Sequence, residues 1–373
     1  MKKALFILLL IIPAAAFAQL DNSAFEQRMI VEPADSNKLF LGINMLGFAK
    51  NNEFFDTMID GYTLFGYQLN PYLSYNIAKN VRLDAGVYVQ KDFGNDDYSE
   101  VMPTLSLKIR NNNVNFIFGT LEGSIHHGLI EPLYDFERVL NNRLENGAQV
   151  IWMKDNSLFL DAWIDWRKMI YANSTEPERF TGGISFNKRL FTFGNIHVDL
   201  PLQLVASHQG GQIDTVDNEV ITSFNIAGGL TLEGTGAGII KSWGIKLYAA
   251  SFNTNANTPV YNQDGFGFFL NPYVKTTIGL TVMGSYWYGD KFLTIQGSPL
   301  YTSANDQYPL RMDETREFVM LRLLYDLKVA DGLTLTARAE PFYDTYAETI
   351  EYSFGFYLNF SERFFLLNAK KNR

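Results

Sequence analysis

Residues 65–77, FGYQLNPYLSYNI, alternate between two kinds of side chain along their whole length. The odd-numbered positions are all apolar or aromatic, and the even-numbered positions are mostly polar or small. Successive side chains of a β-strand point to opposite faces of the sheet, so this stretch predicts one long strand with an apolar and a polar face. Residues 81–90, VRLDAGVYVQ, repeat the pattern after the short connection 78–80. Together the two stretches predict an antiparallel hairpin.

The same two-residue period recurs to the end of the chain, at 101–109, 114–120, 158–166, 196–206, 220–232, 278–288, 319–327, 333–339 and 352–360. Many of these strands have ten or more residues, whereas strands of soluble sheets average about 5 to 6. A tilted strand of about 9 to 11 residues crosses a bilayer. Since a closed barrel pairs every backbone group without leaving an edge, long strands with one apolar face predict a barrel in a membrane.

The connections between strands alternate in length, which indicates which end of the barrel is periplasmic and which is external. Short turns such as 111–113 and 330–332 interleave with long polar loops such as 91–98, 167–178 and 208–218. Counting from Leu39 gives about 16 strands, within a range of 14 to 18, and an even count puts both termini on the periplasmic side. The predicted fold class is therefore all-β, a transmembrane antiparallel up-and-down β-barrel with short periplasmic turns and long external loops. Residues 361–363 are either a last turn or part of a strand that extends to Leu367.

The first eighteen residues begin with a basic pair, continue with an apolar run over 5–12 and end in small residues at Ala18. This order is typical of a secretory signal peptide, and we expect cleavage after Ala18, which leaves 355 of the 373 residues. The run is shorter than the about 20 residues of a spanning helix, and no later stretch is longer, which excludes a helical membrane protein. The predicted location is the outer membrane of a Gram-negative bacterium. The predicted segments are a signal peptide at 1–18, a periplasmic N-terminal segment at 19–37, a barrel at 38–367 and a C-terminal tail at 368–373.

The composition excludes several other classes of protein. Without Lys2 and Lys3, 29 basic side chains face 40 acidic ones, a formal charge of −11, so binding to nucleic acid is not expected. There is no cysteine, which excludes a lipidated cysteine, disulfides and thiolate metal sites. His126 and His127 form the only adjacent histidine pair, but no ligand triad with metal spacing accompanies them. No metal or cofactor is predicted, and Ser124 near His126 is too unspecific a pattern to predict a catalytic pair.

Residues 121–147 are one of the longest insertions between strands, and they carry a helical pattern of apolar residues. Leu133, Phe136, Val139, Leu140 and Leu144 fall on one face of a predicted amphipathic helix, with Pro132 suited to its first turn and Gly147 to its exit. A loop with an apolar face is unfavourable in water. We therefore expect it to fold inward against the barrel wall.

In architecture the chain resembles the general porins of sixteen strands, over the whole length after the signal peptide. In that family the third external loop, between strands five and six, folds into the lumen and narrows it, and residues 121–147 have the same ordinal place. The resemblance implies a constriction at which loop carboxylates face a basic wall and set ion selectivity. The acidic candidates are Glu122, Glu131, Asp135 and Glu137, and the basic candidates are Arg82, Lys108, Arg110, Arg322 and Arg338.

These patterns together predict a porin-like channel for passive diffusion of small hydrophilic solutes, surrounded by outer-membrane lipid, and not an enzyme. Whether three copies form a homotrimer is left open by the sequence. Two alternatives remain. A barrel enzyme acting on lipids would need a hydroxyl, a histidine and a polar group clustered on the outer wall near the membrane surface. A structural barrel of a secretion or adhesion assembly would have the same strand pattern.

Overall fold

The computed structural model describes residues 22–55, 59–155, 157–211, 219–256, 263–303 and 315–369. The expected signal peptide and its cleavage site lie outside the described residues. Sixteen strands make up most of the described chain: β1 Lys38–Glu53, β2 Tyr62–Ala78, β3 Val81–Asp92, β4 Glu100–Asn111, β5 Val114–Thr120, β6 Asn146–Lys154, β7 Leu158–Lys168, β8 Arg179–Phe193, β9 Ile196–Gln209, β10 Ile221–Thr235, β11 Ile240–Thr254, β12 Asp264–Thr276, β13 Leu280–Asp290, β14 Thr315–Ala330, β15 Leu333–Asp344 and β16 Thr349–Asn368.

Each strand pairs with its neighbours in sequence, and β1 pairs with β16 to close the barrel. All of these pairings are antiparallel, which confirms the predicted up-and-down barrel of sixteen strands. β16 runs straight through residues 361–363 and pairs with β1 as far as Asn368, so the last turn considered above is absent. Short turns lie at the end of the barrel where β1 begins and β16 ends, and the long loops lie at the other end. In bacterial barrels these ends are periplasmic and extracellular respectively.

Alternation along the strands places apolar side chains outside and polar side chains inside. On β11, Ile245 and Leu247 face outward and are 42% and 40% exposed, whereas Lys246 and Tyr248 face inward and are each 1% exposed. The same arrangement on the other strands forms an apolar outer belt suited to lipid.

No helix in the described part of the chain is long and apolar enough to span a membrane.

Proline interrupts the hydrogen-bond ladder at two places without shifting the strands. The pairing of β2 with β3 stops at Leu69 and resumes at Tyr72 in the same register, so that the residues beside Pro71 are skipped. β12 and β13 show the same lapse between Leu270 and Tyr273, beside Pro272. Because proline has no N–H to donate, the ladder loses a bond on one side there while the other partner strand remains paired.

Three segments fold into the barrel, which we call the N-terminal segment (residues 22–31), the inward loop (121–145) and the second loop (291–303). They meet one another inside, because Ser298 N–H donates to the Glu131 carbonyl at 3.1 Å and Arg143 donates to the Phe25 carbonyl at 3.3 Å. Together with inward aromatic side chains of the wall they form a packed apolar cluster whose fully buried members include Leu129, Leu133, Trp287, Phe292, Tyr301 and Phe318. The middle of the barrel is therefore a packed core.

The structure differs from two predictions about these segments. Residues 22–31 were expected in the periplasm, but Phe25 is fully buried against Phe136 and Tyr357 inside the barrel. The predicted helix of the inward loop is reduced to the single turn α1, Arg138–Asn141, and a 3-10 turn at Ser124–His127, while Gly147 belongs to β6. Nearly every residue of 121–140 is buried, so apolar residues are needed on all sides of this segment and their spacing does not report a helix.

Candidate functional site

The acidic residues of the inward loop pair directly with basic residues of the wall. Glu122 lies 2.5 Å from Lys108, Glu131 lies 2.5 Å from Arg322, and Glu137 lies 2.8 Å from Lys50. Arg322 also binds Glu340 at 2.9 Å. These groups are almost completely buried, so the predicted opposition of loop acids and wall bases takes the form of closed ion pairs that anchor the loop.

The other predicted constriction residues have separate roles. Arg82 forms a bidentate ion pair with Asp84, and the Arg338 guanidinium lies over the ring of Phe136, 4.0 Å from its centroid. Asp135 accepts a hydrogen bond from the Glu137 N–H at 3.1 Å. Arg110 is exposed at the periplasmic end, where it donates to the Val31 carbonyl at 3.1 Å.

A second buried cluster surrounds His127, which sequence reasoning left without a role. Its Nδ1 lies 2.9 Å from Asp161, its Nε2 lies 2.7 Å from Glu145, and its ring stacks on Trp163 with centroids 4.2 Å apart. His127, Glu145 and Asp161 have no exposed side-chain surface. No group of residues in the described chain has the arrangement of a metal site.

Among the cavities inside the described part of the barrel, two lie toward opposite ends. One of about 900 Å³ faces the extracellular end between the second loop and the walls of β8 to β11, and Asp60, Arg138 and Arg167 contribute to its lining. The other, of about 120 Å³, lies in the periplasmic half between the inward loop, the N-terminal segment and the walls of β1 to β4.

The outer wall carries a histidine and a hydroxyl group in contact at the extracellular rim. His208 on β9 and Thr222 on β10 are register partners, and Nδ1 of His208 lies 2.9 Å from the Thr222 hydroxyl. Nε2 of His208 lies 3.0 Å from the Gly210 carbonyl, which can only accept a hydrogen bond. In the neutral ring the proton therefore lies on Nε2, and Nδ1 accepts from the hydroxyl of Thr222.

Neighbouring groups contact both residues of this pair, and the ring of His208 is the last of a row of stacked rings on the outer wall. Asn255 accepts a hydrogen bond from the Thr222 N–H at 2.6 Å. The rings of Trp166, Phe180 and His208 stack in a row, with successive centroids 5.1 and 4.9 Å apart. Such a row of aromatic rings suits the boundary between hydrocarbon and headgroups.

Sequence reasoning missed Lys50, Glu340, Asp161 and the His208–Thr222 pair. Lys50 and Glu340 lie on the inward face of their strands, so the period of two could have identified them as lumen residues. His208 and Thr222 are fourteen positions apart with a loop between them, and only the register of β9 against β10 brings them together.

The fold is that of an outer-membrane β-barrel, and solved structures share it. OprD of Pseudomonas aeruginosa, an outer membrane protein, is 10% identical with a TM-score of 0.52, and the match covers 93% of this chain and all of that one. OpdL of the same organism is 13% identical with a TM-score of 0.53, covering 87% of this chain and 99% of that one. These likenesses confirm the resemblance in architecture to porins.

A family model for lipid A 3'-O-deacylase-type proteins matches residues 31–369, and the chain belongs to that family. A search of curated protein sequences finds no match. The family is one of enzymes, so the prediction that the protein is not an enzyme is wrong. The prediction rested on the lack of a local catalytic motif, and side chains that meet only through strand register leave no such motif.

Proposed function

We propose that this protein is an outer-membrane hydrolase that removes an ester-linked acyl chain from a lipid A-type substrate of the outer leaflet. The observation that carries the proposal is the His208–Thr222 pair on the lipid-facing wall, in a chain of the lipid A 3'-O-deacylase-type family. A hydroxyl within hydrogen-bonding distance of a histidine that a third group orients is the arrangement of an activated nucleophile. Here the Gly210 carbonyl is the orienting group.

The chemistry follows from the two hydrogen bonds of His208. Nδ1 takes the proton of the Thr222 hydroxyl as the oxygen attacks the ester carbonyl, and the ring returns that proton to the departing sugar alkoxide. Water then hydrolyses the acyl-threonine ester with the same base, which releases a free fatty acid and restores Thr222. The aromatic row of Trp166 and Phe180 would hold the acyl chain at the membrane surface beside the pair.

The test is release of fatty acid from purified lipid A by the full-length protein in detergent micelles, followed by mass spectrometry of both products. We expect the wild type to release an ester-linked chain, and His208→Gln and Thr222→Val each to lower the rate by about 100-fold or more. His197→Gln is the matched control, since His197 lies on the same strand but contacts Glu233 inside the barrel. Wild-type release that both site variants retain would place the chemistry elsewhere, and no release by the wild type would contradict the hydrolase.

Passage of small hydrophilic solutes is a second candidate function, favoured by the cavity of about 900 Å³ at the extracellular end. The packed core below it opposes continuous flow in the described conformation. Single-channel conductance of the full chain in a planar bilayer tests this, repeated after deletion of residues 125–145. Open steps in the wild type that enlarge on deletion would support solute passage, whereas silence in the wild type with steps only in the deletion variant would identify the inward loop as a plug.

A further inference from the structure

The cavity of about 120 Å³ in the periplasmic half of the barrel has a wall of polar groups that the proposed hydrolase does not use. It lies inside the barrel, away from the lipid-facing His208–Thr222 pair, so its role is independent of the proposed function. Wall residues of β1 to β4 form one side, and the inward loop and the N-terminal segment form the other. A ligand of this cavity would therefore bind inside the barrel and out of contact with lipid.

Two buried polar atoms in the wall of this cavity have no hydrogen-bond partner among the described residues. They are Oγ of Ser124 and Nδ1 of His126, in side chains of residues that are 5% and 6% exposed. The Gln27 N–H donates to Nε2 of His126 at 3.1 Å, so the proton of the neutral ring lies on Nδ1. Both atoms are thus able to donate a hydrogen bond to an acceptor in the cavity. Ser124 holds its backbone at φ +59°, a costly conformation for a residue other than glycine.

The charged side chains around the cavity carry a net positive charge. Arg82 is neutralised by Asp84, and Arg28 pairs with Glu26 at 3.0 Å. Glu122 lies 2.5 Å from Lys108 and 3.7 Å from Arg28. Arg143 has no carboxylate within ion-pair distance in the described part of the chain. It donates to the Gln68 side chain and to the Phe25 carbonyl, both at 3.3 Å. Burial and then the nearby Arg28 and Arg143 hold the pKa of His126 well below its usual range, which is the response expected in a positive field.

We propose that this cavity binds a small oxyanion, a phosphate or a carboxylate of similar size, held by the Arg143 guanidinium, the Ser124 hydroxyl and the Nδ1–H of His126. The guanidinium supplies charge and a planar pair of donors, the geometry that carboxylate and phosphate oxygens accept. The two neutral donors complete the set without adding charge. An acyl chain does not fit this site, because its wall is polar and its volume is small.

The experiment is isothermal titration of the purified full-length protein in detergent with inorganic phosphate and, separately, with acetate, in chloride at constant ionic strength. We expect saturable binding of one of the two anions at one site per chain. Arg143→Gln should weaken it by about tenfold or more, and Ser124→Ala by severalfold. Arg167→Gln is the matched control, since Arg167 pairs with Asp165 at the extracellular cavity and should leave the affinity unchanged.

Ser124→Ala also guards against misfolding as the cause, because the hydroxyl makes no hydrogen bond in the fold and its removal should leave the unfolding midpoint in chloride unchanged. Selective loss of affinity in Arg143→Gln and Ser124→Ala supports the site and identifies which oxyanion it takes. The proposal is overturned by no saturable binding of either anion, or by affinities that both variants leave at the wild-type value.

Discussion

The imidazole of His127 lies between two carboxylates with no exposed surface. Burial opposes its charge, but Glu145 and Asp161 more than offset that cost and raise the pKa of His127 to about 9. A folded-state pKa above the unfolded value of about 6.5 means that the charged ring stabilises the fold fully below pH 6.5 and that this contribution is lost as the pH rises through 9. The ring thereby ties the inward loop to β7.

The variant His127→Leu should therefore lower the free energy of unfolding by about 3 kcal/mol at pH 6, since a buried charge pair loses its cation. The difference in free energy of unfolding between the variant and the wild type should become smaller from pH 6.5 to pH 10. Unfolding by guanidinium chloride in detergent at pH 6, 8 and 10 measures it, with His197→Leu as a control at a half-buried histidine. A gap that does not change with pH would mean that His127 is neutral in the folded protein.

At the scale of an element, the N-terminal segment depends on one aromatic anchor. The ring of Phe25 meets Phe136 and Tyr357 edge to face, each with centroids 5.1 Å apart, and the Arg338 guanidinium lies 4.8 Å from its centroid. The only other apolar side chain of this segment that is buried is Val31, so Phe25 supplies the largest apolar contact between the segment and the barrel interior.

We expect Phe25→Ala to release the segment while leaving the barrel closed. Loss of a buried phenylalanine costs about 3 kcal/mol, roughly a hundredfold in the population of the released state. Trypsin cleavage after Arg28 should accelerate by a similar factor when opening is fast. Ile30→Ala is the control, because Ile30 is 56% exposed. Equal cleavage rates in the two variants would show that Phe25 does not hold the segment.

The inward loop shows why the amphipathic helix predicted for it is largely absent. Its length and apolar content led to the expectation that it folds inward, because apolar side chains are driven out of water. In the structure nearly every residue of 121–140 is buried. The predicted helix was wrong because the segment is enclosed on every side, and an enclosed segment loses the one-sided pattern on which a helical reading depends.

For the whole molecule, the apolar outer belt implies a defined depth in the membrane. Leu247 lies at the centre of β11, faces outward and is paired with Leu230 and Leu270 of the adjacent strands. Leu247→Arg should lower the free energy of unfolding in lipid vesicles by about 2 to 4 kcal/mol, because the charge lies near the bilayer midplane. Ile239→Arg, in the periplasmic turn, should cost about 0 to 1 kcal/mol. Similar costs at both positions would contradict this placement of the barrel.

The sequence by itself determined the strands, their faces, their number and the direction of the barrel. These follow from a period of two and from connection lengths, which are local properties of the chain. It also identified some of the charged side chains that face the interior, such as Arg82, Lys108 and Arg322, since inward and outward positions alternate.

Tertiary structure alone decided what fills the barrel and where its candidate chemistry lies. The ion pairs of the inward loop, the buried His127 and the contact of His208 with Thr222 join residues far apart in sequence. The first two depend on how the inward loop folds against the wall. The third depends on strand register, because a slip of one residue between β9 and β10 would turn one partner to the other face. Both kinds of contact join separate parts of the chain, so no local pattern of residues contains them.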